Sequence, residues 1–266
     1  MKFDGQKALD WLTATATALP SLREILEKAV SEVLVVGAGV FDVYFGQGWT
    51  PAFKRKTADL DLSVGLYSGK NDYEILRRAL LEHQYVPDPQ INYRYFSPRK
   101  IPGGLTYIDL LAHPLRDQVG AQDTKQVMGV GPDFSFAGFQ FARLGAFAII
   151  PRLICPNPLG MVGLKRAAYL DNPDTRIKDL ADIAELAWGI VEKGTHFEMK
   201  SLWNSVKAYP EAGQVRLTLI ELGSDSSTIW DLSNARQELL KRNFTSSEID
   251  ELIPQRLKEW ASYLPI

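Results

Sequence analysis

Apolar positions fall into two regimes along this chain. Up to about residue 155 they form short runs broken by polar or glycine-rich turns; beyond Pro158 they recur at spacings of three and four. In the first regime Leu22 to Val30 predicts a helix, with Leu22, Ile25, Leu26 and Ala29 on one face. Val33 to Val36 predicts a buried strand that stops at Gly37-Ala38-Gly39, and Val40 to Phe45 opens the next helix. A polar, cationic loop over Thr50 to Thr57 leads into a strand over Asp59 to Leu66. Tyr73 to Leu81 is amphipathic and helical. Tyr93 to Phe96 and Leu105 to Ala112 predict two strands, with Pro98, Pro102, Gly103 and Gly104 between them. Gly138 to Ile150 reads as further strand. In the second regime Leu159 to Leu170 and Ile177 to Val191 predict helices separated by the Asp171-Asn172-Pro173-Asp174 turn. The tail from Met199 is mostly helical, with a capping box of Thr245 and Glu248 ahead of Ile249 and Leu252. The expected architecture is α+β: a mixed sheet with flanking helices over residues 1–155, then a helical half over 156–266.

Composition narrows the classes without choosing among them. The 266 residues are 45% hydrophobic and 23% charged, with a formal charge of −2, so no global basic field points to a nucleic-acid partner. A single cysteine, Cys155, excludes an intramolecular disulfide, and His83, His113 and His196 are too scattered for a Cys/His zinc site. The first residues lack the pattern of a signal peptide, and no apolar run is long enough to span a membrane. The expected address is the cytoplasm.

The candidate chemistry lies in aspartates. In Thr57-Ala58-Asp59-Leu60-Asp61-Leu62 the strand period of two puts Asp59 and Asp61 on one face and the leucines on the other. Carboxylates that close repel one another unless a cation lies between them, and a hard divalent ion such as Mg²⁺ takes carboxylate oxygens together with phosphate oxygens. An isolated Asp-x-Asp is more often a solvated strand end. Asp109, however, sits in the middle of the apolar run Tyr107-Ile108-Asp109-Leu110-Leu111, where an unpaired charge is costly. Either it faces Asp59 and Asp61, so that the three could hold two Mg²⁺ ions ~4 Å apart, or it forms a buried salt bridge, for example with Arg94 or Arg99. In the first case Asp109 is also suited to take a proton from an attacking hydroxyl. The Gly37-Ala38-Gly39 turn lets backbone N–H groups approach a phosphate, although taken alone it reads first as a tight structural turn.

Strand, small-residue turn, helix, cationic loop, Asp-x-Asp and a strand-borne Asp resemble, in that order, the nucleotidyltransferase superfamily of the DNA polymerase β-like fold. The chain is most similar to the AbiEii/AbiGii-type nucleotidyltransferase toxins, on Gly37-Ala38-Gly39 and Arg55-Lys56-Thr57-Ala58-Asp59-Leu60-Asp61-Leu62, then Leu164-Lys165-Arg166-Ala167-Ala168 and Arg176-Ile177-Lys178-Asp179-Leu180-Ala181-Asp182-Ile183. The likeness covers roughly residues 33–190. Ala38 departs from the family's second glycine, and the loop before Asp59 is longer than usual. The resemblance implies transfer of a nucleoside monophosphate from an NTP to a hydroxyl, with Mg²⁺ and release of pyrophosphate. The acceptor would be an RNA, such as the 3′ end of a tRNA, or a protein side chain, and a cognate antitoxin would be a partner. It implies metal ligands Asp59, Asp61 and Asp109, and a catalytic Lys165 near the triphosphate. Gly37, Ala38, Gly39, Lys56, Thr57, Lys178 and Asp182 would contribute to nucleotide binding, with Asp182 orienting Lys165 or Lys178. Against these stand a solvated Lys165, an exposed Lys178–Asp182 pair and a solvated cationic loop over Lys54, Arg55 and Lys56. Cys155 reads as structural, and His113, four residues past Asp109, as a minor candidate. Two further readings stay open: a catalytically silent nucleotide- or RNA-binding module, and a small-molecule nucleotidyltransferase of the aminoglycoside-modifying kind.

Overall fold

The computed structural model describes residues 4–46, 58–67, 70–101, 104–114, 136–192, 196–224 and 229–265. Its α+β fold is organised by one mixed sheet. The strands are β1 (Val33–Val36), β2 (Asp59–Tyr67), β3 (Lys70–Asn71), β4 (Val86–Pro87), β5 (Arg94–Phe96), β6 (Tyr107–Pro114), β7 (Phe147–Ile150) and β8 (Leu153–Cys155). Seven of them run in the order β4-β5-β6-β2-β1-β8-β7, with β3 paired to β2 off that path. β2 and β6 are parallel, as are β1 and β8; the other pairings are antiparallel.

The N-terminal half supplies α1 (Gly5–Ala18), α2 (Leu22–Glu27), α3 (Gly39–Gly46) and α4 (Asp72–Glu82). Helix α1 went unread in the sequence because its face is diluted by threonines. It is capped by the Asp4 carboxylate, which accepts from the Gln6 and Lys7 N–H groups, and buries Ala8, Leu12, Thr15 and Ala18. A second difference concerns Gly138 to Ile150, expected as strand: Phe136–Arg143 is helix α5, and the strand covers only Phe147–Ile150. A short apolar run carries no periodicity that separates a buried helix from a buried strand.

From Pro158 onward the expected helices form: α6 (Pro158–Asp171), α7 (Ile177–Glu192), α8 (His196–Val206), α9 (Pro210–Ser224), α10 (Arg236–Lys241) and α11 (Ile253–Ser262). Asn157 caps α6 by accepting from the Gly160 N–H at 3.0 Å. Gly160 itself allows close packing, because a Cβ there would lie 2.9 Å from the Ala142 Cα of α5. The capping box also forms: Thr245 N–H and hydroxyl both reach the Glu248 carboxylate, at 2.7 and 2.8 Å, and Glu248 N–H returns to the Thr245 hydroxyl at 3.2 Å.

The two faces of the sheet differ. Leu60, Leu62, Val64, Ile108 and Leu110 join the main core with residues of α1, α2 and α4. On the opposite face Leu34, Val36 and Ile154 pack against Ala142 of α5 and Leu164 of α6. That second face is covered at one end and opens toward the other: Ser63 is fully buried, Asp109 is 5% exposed, and Phe96 and Val86 are 38% and 58% exposed. Among the described residues, no helix is long and apolar enough to cross a membrane.

Candidate metal centre

Register assembles the acidic residues on the open end of that second face. Asp61 pairs with Asp109 across the parallel β2–β6 ladder, and Asp59 pairs with Tyr107. Cross-strand partners share a face, and residues two apart on one strand do also. Asp59, Asp61 and Asp109 therefore converge, each offering a carboxylate oxygen, with these oxygens all within 4.8 Å of one another. Three hard oxygen donors that close suit a divalent cation of the Mg²⁺ class. Strand spacing predicted the shared face of Asp59 and Asp61, and their meeting with Asp109 is one of the two alternatives the sequence left open.

The turn after β1 closes tightly over the cluster. Val36 lies opposite Asp61 in the β1–β2 ladder, and the chain then turns at Gly37 with φ +64°. A Cβ at Gly37 would stand 1.8 Å from Asp61 Oδ2 and 2.8 Å from its Cγ. Only glycine fits there, on both steric and conformational grounds. Ala38 C=O then accepts from the Phe41 N–H at 3.0 Å, starting α3. The predicted small-residue turn thus abuts the acidic cluster directly.

Electrostatics perturb Asp61 strongly. Burial, then the charges of Asp59 and Asp109, push its carboxyl up to about 7, while Lys165 and Lys178 pull it down.

Asp109 also has the partner that the alternative reading named. Arg94, opposite it on β5, donates Nε–H to Oδ1 and Nη2–H to Oδ2, both at 2.8 Å. The guanidinium lies over the Tyr107 ring, 3.9 Å from its centroid. Both expectations for Asp109 hold together: it is salt-bridged and it faces Asp59 and Asp61.

The C-terminal cations are held in a buried charged network. Lys165 of α6 is buried, not solvated, and its ammonium reaches Asp179 at 2.8 Å and Asp182 at 2.5 Å on α7. Burial opposes its charge, but Asp182 and Asp179 outweigh that cost and raise its pKa. Arg176 binds Asp179 at 2.8 Å, and Arg242 binds Asp182 at 2.8 Å and Glu185 at 3.0 Å. Asp182 is 1% exposed, so the solvated pairing with Lys178 that spacing permits is not its role. Of the two lysines it was expected to orient, it pairs with Lys165. Lys178 is exposed, and its charge is felt at Asp61. Arg176 and Asp179 fall within the motif quoted for the resemblance but received no role there, and Glu185 and Arg242 carry no signal in the sequence that marks them as part of this network. Lys54, Arg55, Lys56 and Thr57 lie outside the described residues, as does the His113 side chain.

No protein-family model matches the chain, and neither does any curated protein or solved structure.

Proposed function

We propose that this chain is a nucleotidyltransferase that uses a divalent cation to move a nucleoside monophosphate from an NTP to a hydroxyl, releasing pyrophosphate. One observation carries the reading: Asp59, Asp61 and Asp109 from two parallel strands bring carboxylate oxygens within 4.8 Å of one another, in the order of motifs that resembles AbiEii/AbiGii-type toxins. Asp59 and Asp61 would hold Mg²⁺, with Asp109 completing the set. Bound there, Mg²⁺ neutralises charge developing on the reacting phosphate. Around it each residue has its own task. Asp109 keeps lone pairs that Arg94 does not use, and these can accept the proton of an attacking hydroxyl. Lys165, fixed by Asp179 and Asp182, contributes a standing positive field that needs no reorganisation during reaction. Lys178, exposed, is free to meet the triphosphate. The Gly37–Gly39 turn offers backbone N–H groups at the start of α3. In this reading the acceptor is an RNA, such as a tRNA end, or a protein side chain, and the protein is the toxin of a toxin–antitoxin pair acting in the cytoplasm.

The double hydrogen bond from Arg94 to Asp109 favours a second reading, a nucleotide-binding relative that does not turn over. One experiment separates them. Purified protein is incubated with Mg²⁺, each labelled NTP and a whole-cell acceptor pool. Transfer predicts labelled acceptor with the wild type and none with Asp59→Ala. Identical behaviour of the two proteins with every NTP defeats it, and NTP binding without label in any acceptor supports the silent relative.

A further inference from the structure

Arg94 sets a limit on the carboxylate cluster that its other neighbours do not. Each oxygen of Asp109 already accepts one hydrogen bond from the guanidinium, so half of the carboxylate's ~4 lone-pair sites are taken. The same guanidinium brings a full positive charge to 2.8 Å from both oxygens, where it repels an approaching dication. Counted formally, three carboxylates less one guanidinium leave the charge that a single divalent ion balances.

The guanidinium also has somewhere else to go. The Arg94 side chain is 21% exposed where that of Asp109 is 8%, so it borders the open end of the sheet. The Tyr107 ring, 3.9 Å from the guanidinium carbon, is a second partner able to hold the cation when the fork turns outward. Its planar fork suits a phosphate as well as a carboxylate.

We propose that Arg94 is a positioning residue that sets the metal stoichiometry of the site: engaged on Asp109, it restricts the cluster to one divalent ion, held by Asp59 and Asp61. A second ion reaches Asp109 only when Arg94 lets go, and an incoming triphosphate is the anion suited to draw it away. This rests on the reading of the cluster as a metal site.

The test is a Mn²⁺ titration of nucleotide-free protein, with free Mn²⁺ followed by electron paramagnetic resonance, on wild type, Arg94→Met and Arg94→Lys. The expected result is one tight Mn²⁺ for wild type and two for Arg94→Met. Arg94→Lys keeps a cation beside Asp109, so it guards against misfolding of the methionine variant. It cannot engage both oxygens in the same fork, and a second, weaker Mn²⁺ is expected. One Mn²⁺ in all three proteins, or two already in wild type, overturns the proposal. No Mn²⁺ bound by any of them overturns the metal reading itself, which is a different failure.

Discussion

Gly37→Ala is the smallest change that reaches the centre of the site. The substituted methyl would need to occupy a point 1.8 Å from Asp61 Oδ2 and 2.8 Å from its Cγ, far inside van der Waals contact. The backbone at φ +64° adds a separate penalty, since a left-handed conformation costs an L-residue roughly 1–2 kcal/mol. Overpacking in a tight site adds roughly 1–3 kcal/mol more. A total of ~2–5 kcal/mol lowers the melting midpoint of a chain this size by on the order of 10 °C. The turn cannot retreat easily, because Val36 and Asp61 are paired in the β1–β2 ladder. Asp61 must therefore leave its place; loss of a group that merely supports a ligand costs ~10–100-fold in metal affinity, and displacing the ligand itself should cost at least as much. Thermal melting by circular dichroism and a Mn²⁺ titration measure the two effects. Gly213→Ala is the control. That position is exposed within Pro210–Ser224, and its added methyl meets nothing within 4 Å. There alanine should stabilise by up to ~1 kcal/mol through helix propensity. A Gly37→Ala protein that melts with the wild type and binds Mn²⁺ equally well refutes the packing of the turn on Asp61.

Other expectations follow from the same geometry. Because Asp61 is held up at about 7, protons compete with metal: Mn²⁺ affinity should fall about tenfold between pH 8 and pH 6. The sign for stability is the reverse of the usual carboxylate case. The folded protein binds this proton more tightly than the unfolded chain, so metal-free protein should lose stability as pH rises from about 4 to about 7, measurable by urea melts across that range. Lys165→Met removes the shared partner of Asp179 and Asp182, and should cost ~3–5 kcal/mol in urea denaturation. Lys178→Met, at an exposed position, should leave the melt unchanged and weaken NTP binding. Cys155 is fully buried and its thiol is pushed well up by burial, so it should react with a thiol reagent only after unfolding.

The strands that carry the acidic cluster were readable because their signals are local. Leu60 and Leu62 alternate with Asp59 and Asp61, and that alternation alone fixes which side chains enter the core. Asp109 stood out because an acid in an apolar run needs a partner. The C-terminal helices α6 and α7 repeat their apolar residues often enough to be unambiguous. What failed to show was non-local or too short. β8 is three residues long and follows Pro151 and Arg152, so nothing marked it as the parallel neighbour of β1. Helix α5 looked like strand for want of length. Arg242 reaches Asp182 and Glu185 across nearly sixty residues of chain, and no spacing rule connects them. Arg94 was visible as one of two arginines able to pair with Asp109, but its fork geometry and its place over Tyr107 emerge only from the register of β5 on β6.

The most direct test of the carboxylate cluster is anomalous diffraction from crystals of the wild-type protein and of Asp61→Asn, both grown or soaked with Mn²⁺. The expected result is a strong manganese peak within bonding distance of Asp59 and Asp61 oxygens in the wild type, absent from the variant. Manganese bound elsewhere on the wild-type molecule, with no peak among Asp59, Asp61 and Asp109, would contradict it.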